Sequence, residues 1–103
     1  MKRKPRYTIE EIRQKVMPVA KRHKLVRMYL FGSYARGDAK AKSDIDIRVD
    51  VPADMDYFRL CEVYGDLERS LNAKVDLLTT GALEEKFLNR IAKEEVLLYA
   101  ERT

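Results

Sequence analysis

One cysteine, one histidine and no long apolar run narrow the field before any motif is read. With Cys61 alone, neither an internal disulfide nor a cysteine-rich zinc site can form. It falls among apolar residues at helical spacing and is expected to be a small core residue. The single imidazole, His23, lies at the end of a predicted helix, where the partial negative charge of the helix dipole favours a cation; its expected role is structural. No stretch approaches the roughly 20 apolar residues of a membrane span, and the basic N-terminus is not followed by an apolar signal core. A cytoplasmic protein is the resulting expectation. Repeats, low-complexity tracts and linkers are also missing, and 103 residues are enough for one small core but not two.

Charge is plentiful instead. Charged residues make up 37% of the chain against 46% hydrophobic, which implies a heavily solvated surface laced with ion pairs. The 21 lysines and arginines exceed the 17 acids by enough for a net charge of +4. That mild basicity suits an anionic ligand such as a nucleoside triphosphate and does not call for nucleic acid.

Residues 1–7 read as a basic N-terminal arm, solvated or in contact with a partner, and residues 8–103 as the folded domain. Thr8 with Glu11 is a capping-box pair, and Ile9, Ile12, Val16, Val19 and Ala20 continue at helical spacing, predicting a helix over about 8–23 with a kink or tightened turn at Pro18. Val26–Phe31 reads as a strand stopped by Gly32, Ser33–Arg36 as a short helical turn, 37–43 as a polar loop, and Asp44–Val49 as a second strand ended by Pro52. A second helix, capped by Asp54 or Asp56, carries Phe58, Cys61, Leu67 and Leu71 on its expected apolar face, widened by Leu60, Val63 and Tyr64, and stops near Asn72. Lys74–Thr79 is a third strand, Leu83–Ala92 a helix, and Val96–Tyr99 a final strand or docked turn.

The stretch Leu30–Val51 organises the rest. Side chains two apart in a strand share a face and sit roughly 6.6 Å apart along it, so Asp44 and Asp46 point together while Ile45, Ile47 and Val49 point to a core. Asp76 adds a third carboxylate in the middle of an apolar strand, where an acid is costly unless paired or bound to metal. Phosphoryl transfer needs cations that bridge phosphates, and Mg²⁺ prefers carboxylate and phosphate oxygens completed by water. Asp44, Asp46 and Asp76 are therefore the candidate catalytic and metal-ligating residues, with two Mg²⁺ ions expected. Gly32 would let a phosphate approach the backbone, and Ser33 would donate to it. No histidine is at hand in the motif to make Ser33 a nucleophile. Arg36 is a candidate for touching phosphate or for fixing its loop through a carboxylate. Arg48, on the face of the acid pair, can pair with Asp46 or meet the triphosphate.

Gly32-Ser33, ten intervening residues, then Asp44-Ile45-Asp46, set in LFGSYARG and SDIDIRV, resembles the DNA polymerase β-like nucleotidyltransferase superfamily, specifically its minimal nucleotidyltransferases. The likeness extends through KVDLL, where Asp76 matches the third family carboxylate, to the EEVLLYAE ending. Arg48 departs from the small or apolar residue many relatives carry there. The resemblance implies an α/β fold with a mixed sheet of three to four strands flanked by helices, Mg²⁺ dependence, and transfer of a nucleoside monophosphate from a triphosphate to a hydroxyl. It further implies an antitoxin that adds AMP, from ATP or another NTP, to a tyrosine of a HEPN-type RNase toxin.

Two other functions compete: neutralisation of a partner by masking alone, and transfer to a small molecule or an RNA end. Larger superfamily members resemble this core plus a domain that holds the acceptor. The acceptor is therefore expected on another chain or at an oligomer interface, and three intact acids favour catalysis over masking. Tyr34, Tyr57 and Tyr64 are candidates to extend the contact surface.

Overall fold

The capping box forms as the spacing requires. Thr8 Oγ1 accepts from the Glu11 amide at 3.1 Å, and Glu11 Oε1 accepts from the Thr8 amide at 2.8 Å. It opens α1, Ile9–Arg22, in a computed structural model that describes residues 5–102. Pro18 lies inside α1 without dividing it. The helix ends where Lys24 takes a left-handed conformation and the Leu25 amide returns to Ala20 O at 3.0 Å. After it come β1 (Arg27–Phe31), α2 (Gly32–Arg36), β2 (Ile45–Asp50), α3 (Tyr57–Leu71), β3 (Val75–Thr79), a 3₁₀ turn (Thr80–Ala82), α4 (Glu85–Ile91) and β4 (Val96–Ala100).

The four strands make one mixed sheet in the order β3-β2-β1-β4. The tight β1–α2–β2 connection gives an antiparallel pair, β4 also runs antiparallel to β1, and the helical crossover α3 returns β3 parallel to β2. Alternation divides the sheet into two faces. Met28, Leu30, Ile45, Ile47 and Val49 are fully buried against Ile12 and Val16 of α1 and Val63, Leu67 and Leu71 of α3. Tyr29, Phe31, Asp46 and Arg48 fall on the opposite face. There Phe87 of α4 meets Phe31 edge-on, with ring centroids 6.1 Å apart.

Helix α3 departs from its expected face. Asp56 caps it and Asn72, at φ 47°, ends it, and Val63, Leu67 and Leu71 of the expected face are buried, but Phe58 is 79% exposed and Cys61 and Tyr64 are exposed. Cys61 is therefore not a core residue. The phase of the helix is set by polar ties on its other flank. His23 Nε2 lies 2.7 Å from Asp66 Oδ2, Arg22 reaches the same carboxylate at 3.2 Å, and Arg59 donates to His23 O at 2.9 Å. His23 is buried at this junction, so its role is structural, through a carboxylate more than through the helix dipole. Tyr34, expected at the surface, is buried in the core. Of the basic arm, residues 1–4 lie outside the described residues. Tyr7 is half-buried and donates to Leu71 O at 2.6 Å, and Arg6 donates to Asn72 O at 2.5 Å, so this part caps α3.

The two ends of the α3 pattern give opposite expectations for stability. Leu67→Ala removes a fully buried side chain and should cost about 2–5 kcal/mol, whereas Phe58→Ala should stay within about 0.5 kcal/mol of wild type. Urea denaturation of the two variants measures both; equal losses would contradict this packing.

Candidate active site

Strand β1 runs directly into Gly32, whose φ of +72° turns the chain into α2. Pairing of Phe31 with Asp46 brings the Asp46 carboxylate under that turn. A Cβ added at Gly32 would lie 2.0 Å from Asp46 Oδ2 and 2.8 Å from its Cγ. The space beside the glycine, expected to admit a phosphate, is thus filled in part by the second acid of the pair. On the other side of β2, the parallel register sets Asp46 opposite Asp76. Register partners in a sheet share a face, so these two carboxylates stand side by side. Asp44 is exposed at the entrance to β2, where the Ile45 amide bonds Lys74 O at 3.0 Å and ties the starts of β2 and β3 together. The loop leading to it is closed by Ser43, whose Oγ accepts from the Lys40 amide at 2.8 Å. Asp44, Asp46, Asp76, Gly32 and Ser33 therefore gather at one end of the sheet.

Electrostatics mark Asp46 as the strained member. Burial, then the like charges of Asp76 and Asp44, push its carboxyl up to about 6, against the opposing pull of Arg36. An acid held that way gains from a cation beside it. Among the described residues no three or more His, Cys, Asp or Glu side chains form a cage that could hold an ion alone. The arrangement fits a hard cation that keeps water and substrate phosphate oxygens in its shell, as Mg²⁺ does with only one or two protein carboxylates.

The two arginines have found other partners. Arg36 holds Asp38 and Glu94, each at 3.3 Å, and so fixes the α2 loop against the segment before β4. Arg48 neither locks Asp46 nor stands free for a triphosphate. It is 8% exposed, meets Glu95 at 2.8 Å and Thr80 Oγ1 at 2.8 Å, and lies 4.1 Å over the Tyr29 ring. Asp50, 3.5 Å from Arg48, continues this network to Arg27 at 2.8 Å and to Thr80. Local patterning could not reveal this pairing, because Glu95 lies 47 positions along the chain and enters through β4.

Sequence reasoning also missed a cleft of about 300 Å³ beside Gly32, lined by Phe31, Arg36, Phe87, Arg90, Ile91 and Glu94. Phe87 and Ile91 were recognisable as the apolar face of a helix; that part of this face borders a cleft follows only from where α4 docks.

The Asp46 shift has a signed consequence. A carboxyl whose folded-state pKa is about 6 rather than 3.8 holds its proton more tightly when folded. Stability of the metal-free chain should therefore fall as pH rises through that window and level off above it. Asp46→Asn removes this penalty. In chelator the variant should melt higher than wild type near pH ~8, with the gap closing toward pH ~4; a gap independent of pH would show that Asp46 carries no such burden.

Comparison with known proteins places this geometry. The model of the family described as "Polymerase beta, Nucleotidyltransferase", whose members are generally metal-dependent, matches residues 14–103. A Methanocaldococcus jannaschii protein, provisionally named a protein adenylyltransferase, is 36% identical over 88 residues, spanning 85% of this chain and 95% of that one. The structure of a protein provisionally named a minimal nucleotidyltransferase superposes with a TM-score of 0.77 at 26% identity, over 88% of this chain and 96% of that one. A crystal structure of a toxin–antitoxin with AMP-PNP matches with a TM-score of 0.74 at 26% identity, over 87% of this chain and 74% of that one. The four-stranded mixed sheet, the acid triad at its end and the span of the match agree: the chain belongs to the polymerase beta nucleotidyltransferase family.

Proposed function

We propose that this protein is an Mg²⁺-dependent adenylyltransferase that moves AMP from ATP to a hydroxyl of a partner protein, a HEPN-type toxin, and so acts as its antitoxin. The observation that carries the reading is the register pairing of Asp46 with Asp76 beside Gly32, with Asp44 at the mouth of the same strand. The M. jannaschii relative bears the adenylyltransferase name, and the AMP-PNP structure is of a toxin–antitoxin. Residues 8–103 are the nucleotidyltransferase domain on this reading, and 1–7 precede it.

Two Mg²⁺ ions, when bound, supply neutralisation of the triphosphate and of the departing pyrophosphate. Asp44 and Asp46 offer the carboxylate oxygens that hold them. Ser33 donates a hydrogen bond to phosphate, and the cleft walled by Phe31, Phe87 and Ile91 receives the base. Arg36 acts mainly on the loop, through Asp38 and Glu94, and adds positive charge near Asp46. Asp76 faces the incoming hydroxyl, as ligand or as base. The acceptor oxygen forms its bond to the α-phosphorus as the bond from that phosphorus to pyrophosphate breaks, and the hydroxyl proton leaves toward the carboxylate side.

Nucleotide binding and transfer should separate by mutation. ATP with Mg²⁺ should raise the melting temperature of wild type by linkage, and Asp44→Asn with Asp46→Asn should abolish that rise while leaving the fold intact. A full shift in the double variant would place the nucleotide elsewhere.

Asp76→Asn should keep the shift yet lose transfer, read by mass spectrometry of the product of the neighbouring reading frame after incubation with each NTP. Ser33→Ala should slow transfer by about 1.5–3 kcal/mol, the value of one hydrogen bond to a charged group. If wild type modifies nothing, yet silences toxicity with all three acids replaced, neutralisation is by masking.

A further inference from the structure

Three of the four large hydrophobic side chains that stand exposed among the described residues belong to one helix. Tyr57 is 74%, Phe58 79% and Tyr64 38% exposed, all on α3. Tyr57, Cys61, Tyr64 and Glu68 follow one another at spacings of four, three and four and so form a single stripe, with Phe58 alongside it. This stripe is separate from the buried one at Val63, Leu67 and Leu71. It also lies away from the flank that Asp66 ties to His23 and Arg22. Tyr57 and Phe58 pack edge-on, with centroids 6.2 Å apart, so the outer end of the stripe is an ordered aromatic knob.

The inner end of the stripe reaches the acid site. Tyr64 donates to Glu68 Oε2 at 2.9 Å, and the same oxygen accepts from the Val75 amide at 3.3 Å. Val75 immediately precedes Asp76 and is paired with Ile45, the residue after Asp44. One carboxylate oxygen therefore links the phenol of Tyr64 to the point where β3 enters the candidate active site. The charges of Asp76 and Asp44 are both felt at that phenol. β3 is moreover an edge strand, so the helix flank and the sheet margin form one open surface.

Charge identifies the occupant. The chain as a whole is cationic, at +4. The stripe runs the other way: Asp54, Asp56 and Glu62 are exposed beside its outer end, Glu68 lies within it, and Asp44 and Asp76 stand at its inner end. Lys42, Lys74 and Arg69, the last paired with Asp66, are the exposed cations nearby, three against these six carboxylates. An aromatic knob rimmed with carboxylates complements an apolar patch rimmed with lysine and arginine, and tyrosine-bearing, desolvated patches are where interface energy concentrates. A surface continuous with the transfer site is placed to hold the molecule that brings the hydroxyl. We propose that the α3 stripe Tyr57, Phe58, Tyr64 and the adjoining β3 edge are the docking surface for the protein acceptor, and that this acceptor meets it with a basic-rimmed apolar face. The identity of the acceptor as a protein rests on the function proposed above.

The test separates docking from chemistry. Wild type, Tyr57→Ala/Phe58→Ala, and Leu97→Ala are titrated calorimetrically with an RNase-inactive form of the proposed HEPN-type toxin partner, and transfer to that toxin is assayed with ATP and Mg²⁺. Leu97, 45% exposed on β4, is the remaining large hydrophobic side chain exposed among the described residues and serves as control. The double variant should bind the toxin at least about tenfold more weakly and raise the KM for it comparably, with the ATP-dependent melting shift unchanged. Leu97→Ala should match wild type in all three readouts. Raising NaCl should weaken wild-type binding, as complementary charge at the rim requires. Toxin binding by the double variant equal to wild type, loss confined to Leu97→Ala, or no wild-type binding at all would overturn the proposal. So would a wild-type dimer in sedimentation that the double variant dissolves without any change in toxin binding, since the occupant would then be a second copy. Toxin binding that depends on the stripe but leads to no modification would uphold the docking surface and remove the enzymatic reading instead.

Discussion

The close approach of Gly32 to the Asp46 carboxylate is the contact on which the site depends. At φ +72°, with a hypothetical Cβ 2.0 Å from Asp46 Oδ2, position 32 is closed to any side chain for two separate reasons. The left-handed turn is costly for L-residues with a Cβ, and the volume already belongs to an acid. Substitution would have to move backbone or displace the carboxylate, and displacement would carry Asp46 away from Asp76. The turn that starts α2 and the geometry of the acid cluster are thus one structural decision, made where β1 leaves the sheet.

Around that contact the fold divides its labour by strand parity. Even-spaced aliphatics on β1 and β2 bury themselves under α1 and α3, and the intervening residues, Asp46 among them, stand on the other face. The second face is polar and partly buried, so it needs internal satisfaction. Arg48 supplies much of it, binding Glu95, Thr80 and the Tyr29 ring. Arg36 does the same at the edge of the site through Asp38 and Glu94. Glu94 and Glu95 both sit just before β4, so the last strand is attached to the site face by charge as well as by its ladder with β1.

Much of this was legible in the residues. The capping box, the Gly32 break, the alternation of Asp44 to Val49 and the third acid in Lys74–Thr79 each follow from local rules of period and turn chemistry, and they sufficed for the sheet, its acids and the fold class. Two kinds of feature were not legible. The phase of α3 was ambiguous, because Tyr57 to Tyr64 holds more apolar residues than one face can bury; ties from Asp66 and Arg59 to α1, both long-range, decide which face turns inward. The partners of Arg48 and the walls of the cleft depend on where β4 and α4 come to rest, and no spacing along the chain encodes that.

Arg13 closes a gap at the far side of the molecule. From α1 it reaches the carbonyl of Leu97 on β4 at 3.0 Å, while Glu10 holds the same guanidinium. β4 is an outermost strand, and such strands present backbone groups that invite neighbouring chains to add on. With that acceptor engaged, growth of the sheet from this margin is discouraged, while the β3 margin beside the acids stays open. A small protein with two free sheet borders would be at risk of stacking into ribbons; here one border carries a cation from a helix on its backbone, and only the other stays open.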